Sequence, residues 1–248
     1  MIVDVHVHLG YDHTFDESFE KQYLLGKMAE CEGIIQIVQP GTCHNLADVR
    51  AQHDAIAALC REFPGRFFGM ANPSPHLSDD DYRYEVRRCV RELGFVGIKL
   101  HPLAHGVQPG SRAARKVWEM ANQLEVPLMV HTGGGVPFAA PVALIPMARE
   151  FAQVKVVMAH CGHIILAGEA GAAMDACPNI YGDTSWTPGH SLRGWCRAFG
   201  PRLMLGTDHA DNLPVELAKI RSSGFTPAEQ DGLLFKTALE VYRLKAAI

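Results

Sequence analysis

Histidine is the residue of interest. The 248-residue chain carries 13 of them, and five fall at or near the ends of short apolar runs: His6 and His8 in the first, then His101, His131 and His160. A further run ends in Asp208. Residues i and i+2 of a strand point to one side, so His6 and His8 can share a face. Imidazole nitrogens and a carboxylate converging on one mouth suit a borderline divalent cation such as zinc. His-x-His alone is a weak signal, because chance supplies on the order of one such pair in a chain this rich in histidine. The metal-site expectation rests on coincidence: three further strands end in histidine and the last in aspartate.

These residues need a frame that gathers strand ends. Runs of five to eight residues rich in Val, Ile, Leu, Met and Phe cover Ile2–His8, Gly33–Gln39, Arg66–Asn72, Phe95–His101, Val126–His131, Val154–His160, Asn179–Thr184 and Arg202–Asp208. They read as buried parallel strands. Between them, 47–59, 79–93, 111–124 and 141–151 repeat apolar residues at three- and four-residue steps, with Asn45, Ser78 and Ser111 as N-caps. Eight strands alternating with helices predict an α/β fold, a (β/α)8 TIM barrel with few insertions, as a single domain over 1–248. An open doubly wound sheet is the alternative. It would want Gly-x-Gly-x-x-Gly after the first strand, where His8-Leu9-Gly10-Tyr11 stands. In a barrel all eight βα loops open on the face where the strands end.

Composition narrows the partners. A net charge of −4 without like-charge blocks offers no electrostatic footprint for nucleic acid and no polybasic membrane surface. The most apolar long segment, 154–174, contains Lys155, His160, His163 and Glu169, so it reads as strand plus helix rather than a bilayer span. Seven cysteines without a Cys-x-x-Cys pair, and no secretory signal pattern, suit reduced thiols and a cytoplasmic location. The partner expected is a small-molecule substrate. Short loops leave little to build a lid, so a homodimer is expected to help close the pocket.

The motifs Asp4-Val5-His6-Val7-His8, Gly97-Ile98-Lys99-Leu100-His101-Pro102, His131-Thr132-Gly133, Ala159-His160-Cys161-Gly162 and Gly206-Thr207-Asp208 follow one another in an order that resembles the amidohydrolase superfamily. More narrowly, the chain is similar to its amidohydrolase-related (amidohydrolase 2) branch of hydrolases and metal-dependent decarboxylases and hydratases. The resemblance spans almost the whole chain and is poor at naming a substrate. It implies a metal held by His6, His8, His131 and Asp208. His160 would stand beside it as an acid/base or water-orienting residue, or as a ligand in a two-metal arrangement. Two departures are His209-Ala210-Asp211 after Asp208, where relatives often place an aromatic and a proline, and Thr237, where relatives commonly carry Asn.

Lys99 reads as a mouth residue that pairs with an acidic substrate; the alternative is a carboxylated lysine bridging two metals. His101 and Trp186 are the other substrate-binding candidates. Asp183 reads either as a hydrogen-bond partner of a ligand histidine or as a structural cap. Cys161 reads as packing, and Thr132-Gly133-Gly134-Gly135 as open backbone rather than a phosphate cradle. The expected cofactor is one divalent cation per chain, zinc first, with Mn, Fe, Co and Ni as alternatives. The expected activity is hydrolysis of a small amide, lactone or other carboxylic ester by a metal-activated water. Asp208 and His160 would be catalytic, the cation lowering the pKa of water from about 15.7 towards 7. The alternative is a lyase, decarboxylating or hydrating a small carboxylic acid on the same site. A binding barrel that keeps its metal for stability stands third.

Overall fold

A computed structural model describes residues 1–135 and 137–244. Nine strands form one sheet in the order β2-β1-β3-β4-β5-β6-β7-β8-β9. They are β1 (Ile2–Asp12), β2 (Glu17–Phe19), β3 (Ile34–Pro40), β4 (Phe67–Ala71), β5 (Gly97–Leu100), β6 (Leu128–His131), β7 (Val156–Ala159), β8 (Ile180–Asp183) and β9 (Leu203–Met204). All neighbours are parallel except β1 and β2. The helices are α1 (Lys21–Ala29), α2 (Leu46–Glu62), α3 (Asp79–Arg91), α4 (Pro102–His105), α5 (Arg112–Leu124), α6 (Ile145–Glu150), α7 (Ala167–Ala176), α8 (Gly189–Phe199), α9 (Leu213–Ser222), α10 (Pro227–Asp231) and α11 (Thr237–Val241). The side chains of Asn45, Ser78 and Ser111 accept the backbone N–H three residues on, as their types predict.

The sheet closes between β1 and the chain following β9. Val5 N–H donates to Leu205 O at 2.9 Å and Asp208 N–H to His6 O at 2.7 Å, and Val7 bridges Asp208 in parallel. The eight parallel strands therefore form a (β/α)8 barrel. A side-chain clasp reinforces the seam. Asp4 accepts the Thr207 hydroxyl at 2.7 Å and the backbone N–H groups of Thr207 and His6, both at 3.1 Å. Burial nevertheless pushes the Asp4 carboxyl up to about 7, against those hydrogen bonds.

Strand β1 changes face along its length. Val3 and Val5 pack with Ile35, Ile37, Met129, Val157 and α11, inside and beneath the barrel. Val7 and Leu9 instead join Val38, Phe67 and residues of α2 in the outer layer. The switch coincides with a register shift against β3 between Asp4 and Val7. A bulge is the standard device for re-aiming a side chain beside a site, and here it turns His6 and His8 to the interior together. The outer faces of β5 to β7, with Ile98, Val130 and Met158, pack on Val117, Trp118 and Ala121 of α5 and on α7.

The sequence reading differs from the fold in four places. β1 does not stop at His8 but runs to Asp12 and folds back on β2; Asp12 holds the turn by accepting N–H from Thr14, Phe15 and Thr42 at 2.8, 2.9 and 2.8 Å. β5 ends at Leu100, because His101 caps α4 by accepting Ala104 N–H at 3.2 Å. β7 ends at Ala159, since His160 opens a tight turn with a φ of 65°. The last run keeps only Leu203–Met204 as regular strand. At His101 and His160 a capping side chain or a left-handed residue ends the ladder that hydropathy alone would prolong.

Outside the barrel, α2 is fastened to α3 by Glu85. It accepts from His53 Nδ1 at 2.8 Å, Arg88 at 2.7 Å and Arg50 at 2.8 Å, while His53 Nε2 accepts the N–H of Asn72 just past β4 at 3.1 Å. Burial pushes the Glu85 carboxyl up, but the hydrogen bonds from His53, Arg88 and Arg50 overcome it and hold it far below the usual range.

Two stability measurements test these fasteners. Thr207→Val removes a buried donor from Asp4 and is expected to cost about 1–3 kcal/mol in urea unfolding; unchanged stability would mean the clasp adds nothing to the seam. A carboxyl whose pKa falls on folding adds stability above its unfolded value of about 4.3, and loses it as pH drops below. Glu85→Gln is therefore expected to destabilise at pH 7 and to flatten the fall in melting temperature between about pH 5 and pH 3. Parallel acid curves for both proteins would contradict this.

Candidate metal centre

The interior ends of β1, β5, β6, β7 and β8 and the residue Asp208 bring a set of nitrogen and oxygen donors together. His6 Nε2 lies 3.2 Å from His8 Nε2 and 3.2 Å from Asp208 Oδ1, and His8 Nε2 lies 3.4 Å from the same Oδ1. His6, His160 and Asp208 each offer a ligand atom within 4.8 Å of the others. Donors about 2.0–2.2 Å from one cation must stand roughly 3.0–3.5 Å apart. The His6–His8–Asp208 separations fit that requirement, and imidazole with carboxylate is the chemistry such a cation takes.

His131 stands beside this set. Its Nε2 donates to Gly134 O at 3.0 Å, its ring stacks on His101 at 4.0 Å between centroids, and it meets His160 edge-on at 4.9 Å. The cluster of His6, His160 and Asp208 thus contains His160, for which the resemblance implies an acid/base or second-metal role, while His131 lies one ring away. Burial lowers the pKa of His6, His131 and His160; for His131 the result is about 4. All three are neutral lone-pair donors at physiological pH. Burial also pushes the Asp208 carboxyl up, yet the imidazoles of His160, His6 and His8 hold it well below the usual range.

Asp208 has two differently employed oxygens. Oδ1 faces His6 and His8, and Oδ2 accepts the Trp186 indole N–H at 2.9 Å and lies 3.7 Å from His209 Nε2. Trp186 is 47% exposed, so one carboxylate connects the buried donors to the open rim. Lys99 lies at the mouth, deep among the donors. It is 2% exposed, with Nζ 3.0 Å from His6 Nε2, and burial lowers its pKa to about 8 against Asp208 and Asp183.

Asp183, at the end of β8, is the anchor beneath. Its Oδ2 accepts from His6 Nδ1 at 2.8 Å. Its Oδ1 accepts the backbone N–H groups of His160 and Ser185 at 2.9 and 3.0 Å and the Ser185 hydroxyl at 2.5 Å. Both sequence readings of Asp183 have their contacts here: it pairs with the His6 ring and caps the turns of His160 and Ser185. Ser185 was invisible to motif reasoning: it contacts His160 Nδ1 at 2.8 Å, and its one sequence signal is its place two residues after Asp183. Gly206 makes room, because a Cβ there would sit 2.8 Å from the Asp183 carboxyl carbon. Gly133, with a φ of 112°, lets its loop pass against Gly162 and His163, where a Cβ would come within 2.8 Å. Backbone strain concentrates here too. His160, Cys161, His163, Trp186 and Asp208 all have positive φ, at a cost of about 1–3 kcal/mol each.

The gamma-resorcylate decarboxylase of Rhodococcus jostii is 34% identical over 91 residues, 33% of this chain and 27% of the relative. The 2-keto-4-carboxy-3-hexenedioate hydratase of a Sphingobium species is 34% identical over 92 residues, 34% of this chain and again 27% of the relative. The matched segments therefore span about a quarter of those curated proteins. A 5-carboxyvanillate decarboxylase from Novosphingobium aromaticivorans, solved with manganese and 4-hydroxy-3-methoxy-5-nitrobenzoic acid, superposes with a TM-score of 0.78 at 14% identity, covering 98% of this chain and 96% of its own. The amidohydrolase family profile matches residues 3–244. With its histidines and aspartate gathered at the mouth of a (β/α)8 barrel, and the profile matched across nearly its whole length, the chain belongs to the amidohydrolase family.

Proposed function

We propose that this chain is a metal-dependent lyase that decarboxylates a small carboxylic acid. The observation that carries the reading is the two-sided carboxylate of Asp208, one oxygen among the imidazoles and the other at the rim. The hydrolysis expected from the sequence gives way to its alternative, because both curated relatives are lyases by name. Hydration of a double bond is the second reading, favoured by the hydratase among those relatives.

His6, His8 and Asp208 hold the cation in this proposal, with His131 completing the set and His160 next to it. When bound, a divalent cation binds and polarises an oxygen of the substrate and steadies developing negative charge. Nitrogen and carboxylate donors of this kind accept zinc or manganese. In decarboxylation the bond from carbon to carboxylate breaks, its electron pair stays on carbon, and a proton takes the vacated position. The proton must be delivered within hydrogen-bond reach. Asp208 and His160 carry no spare proton at rest, so the donor must first take one from water; Asp208 Oδ2, at the open rim and oriented by the Trp186 N–H, is the group placed to take it up and pass it to carbon. Lys99 supplies a buried positive charge for an anionic substrate, and His101, stacked on His131, and Trp186, bonded to Asp208, are the other substrate contacts.

Two measurements test the reading. With zinc or manganese added, a panel of hydroxylated benzoic acids and unsaturated di- and tricarboxylic acids in oxygen-18 water is expected to release CO2 without label entering the product. Label uptake without CO2 would favour the hydratase; turnover of lactones or esters alone, with label in the new carboxylate, would overturn both. In the second measurement, His6→Ala, His8→Ala and Asp208→Ala should keep the circular dichroism of the barrel. Each should weaken metal binding by more than the roughly 10–100-fold loss typical of an outer hydrogen-bond partner. His160→Ala should retain most of one metal equivalent. Loss of a full equivalent would point to two metals and a carboxylated Lys99.

A further inference from the structure

We infer that Ser185 is a positioning residue: together with Asp183 it fixes His160 as the Nδ1–H tautomer, so that His160 and His6 both turn bare Nε2 lone pairs to one point. The inference takes its purpose from the proposed metal site, but its geometry stands without it.

Asp183 Oδ1 accepts two backbone N–H groups, those of His160 and Ser185, at 2.9 and 3.0 Å. A backbone N–H can only donate, so Oδ1 is an acceptor. The 2.5 Å contact between Oδ1 and Ser185 Oγ is therefore made by the serine proton. A hydroxyl has one proton and two lone pairs. With its proton committed to Asp183, Oγ can only accept from His160 Nδ1, 2.8 Å away. Neutral imidazole carries one N–H; it must sit on Nδ1, and Nε2 is left bare. Every member of this chain is buried, with His160 2% exposed and Asp183 and Ser185 fully enclosed, so bulk water does not compete for these bonds. Thr187 steadies the same turn, its hydroxyl lying 2.8 Å from His160 O and 3.1 Å from Ser185 O.

The other oxygen of Asp183 performs the matching service for His6. Oδ2 accepts from Nδ1 at 2.8 Å, and a second contact points the same way: the Lys99 amine, which donates when protonated, lies 3.0 Å from His6 Nε2. One carboxylate thus sets two tautomers, directly for His6 and through one hydroxyl for His160. Either ring in the opposite tautomer would present an N–H where a cation or a proton must be received. Hydrogen bonding on the far nitrogen is how ligand histidines are commonly oriented; here Ser185 extends it to a residue that Asp183 reaches only at its backbone.

Histidine side-chain nitrogen–proton correlation spectra report tautomers without reference to turnover. They would be recorded at about pH 8, above the ordinary histidine pKa of about 6.5, on metal-free and zinc-loaded protein. His160 and His6 signals are identified as those lost in His160→Gln and His6→Gln. In wild-type protein both rings are expected as Nδ1–H; His160 found as Nε2–H would overturn the inference. Ser185→Ala is expected to give His160 a mixture of tautomers, leave His6 unchanged and weaken zinc binding about tenfold in a chelator competition. An unaltered His160 spectrum and zinc affinity in folded Ser185→Ala would remove Ser185 from the role. Should that variant fail to fold, the wild-type spectrum still decides the tautomer. A lyase assay that finds no substrate leaves these spectra as they are, so the two readings fail separately.

Discussion

The carboxylate of Asp183 is the interaction on which the rest of the site depends. It is a charge-bearing group enclosed in the barrel interior, where a carboxylate is tolerable only if donors satisfy its lone pairs. It receives four, from His6, from Ser185 twice and from the backbone of His160. Those donors come from within β1 and from just past β7 and β8, so satisfying one charge also ties the three strands together. Gly206 is needed for the same reason, since a side chain there would displace the carboxylate from its cradle.

The second constraint is closure. A parallel sheet becomes a barrel only if the first and last strands meet, and β9 is short. The chain after it compensates with the Asp4–Thr207 clasp and the backbone bonds of residues 205–208 to β1. Closure places Asp208 against His6 and His8 and obliges it to adopt a positive φ. The bulge in β1 is the matching adjustment on the other side of the seam. Strain at Asp208, His160 and Trp186 is therefore the local cost of convergence, offset by the packed layers around and beneath the barrel.

Much of the frame was legible from the chain. Eight apolar runs with helical segments between them, and caps at Asn45, Ser78 and Ser111, are local patterns in which burial and backbone hydrogen bonding point to the same answer. The β1–β2 hairpin was not read from the chain: Asp12 holds its turn through the local Thr14 and Phe15 N–H groups and ties it to the distant Thr42 N–H, which no local pattern reveals. Strand ends were overrun at His101 and His160, where capping and left-handed geometry override hydropathy. The contact of Lys99 with His6 was not legible either, since position along a strand does not reveal how far a long side chain reaches inward.

By itself the sequence determined which groups could meet. His6 and His8 share a strand face, and His131, His160 and Asp208 lie near the ends of others; a parallel barrel gathers such ends at one mouth. Only the tertiary structure decided how they meet. It brought His160 within 4.8 Å of His6 and Asp208, turned one oxygen of Asp208 inward and the other to Trp186, and put Asp183 and Ser185 behind the rings. The physical reason is range. Strand alternation and hydropathy act over a few residues and can be read locally, whereas tautomer, carboxylate orientation and donor spacing depend on contacts between residues as distant as His6 and Asp208, which only closure of the barrel brings within 3.2 Å.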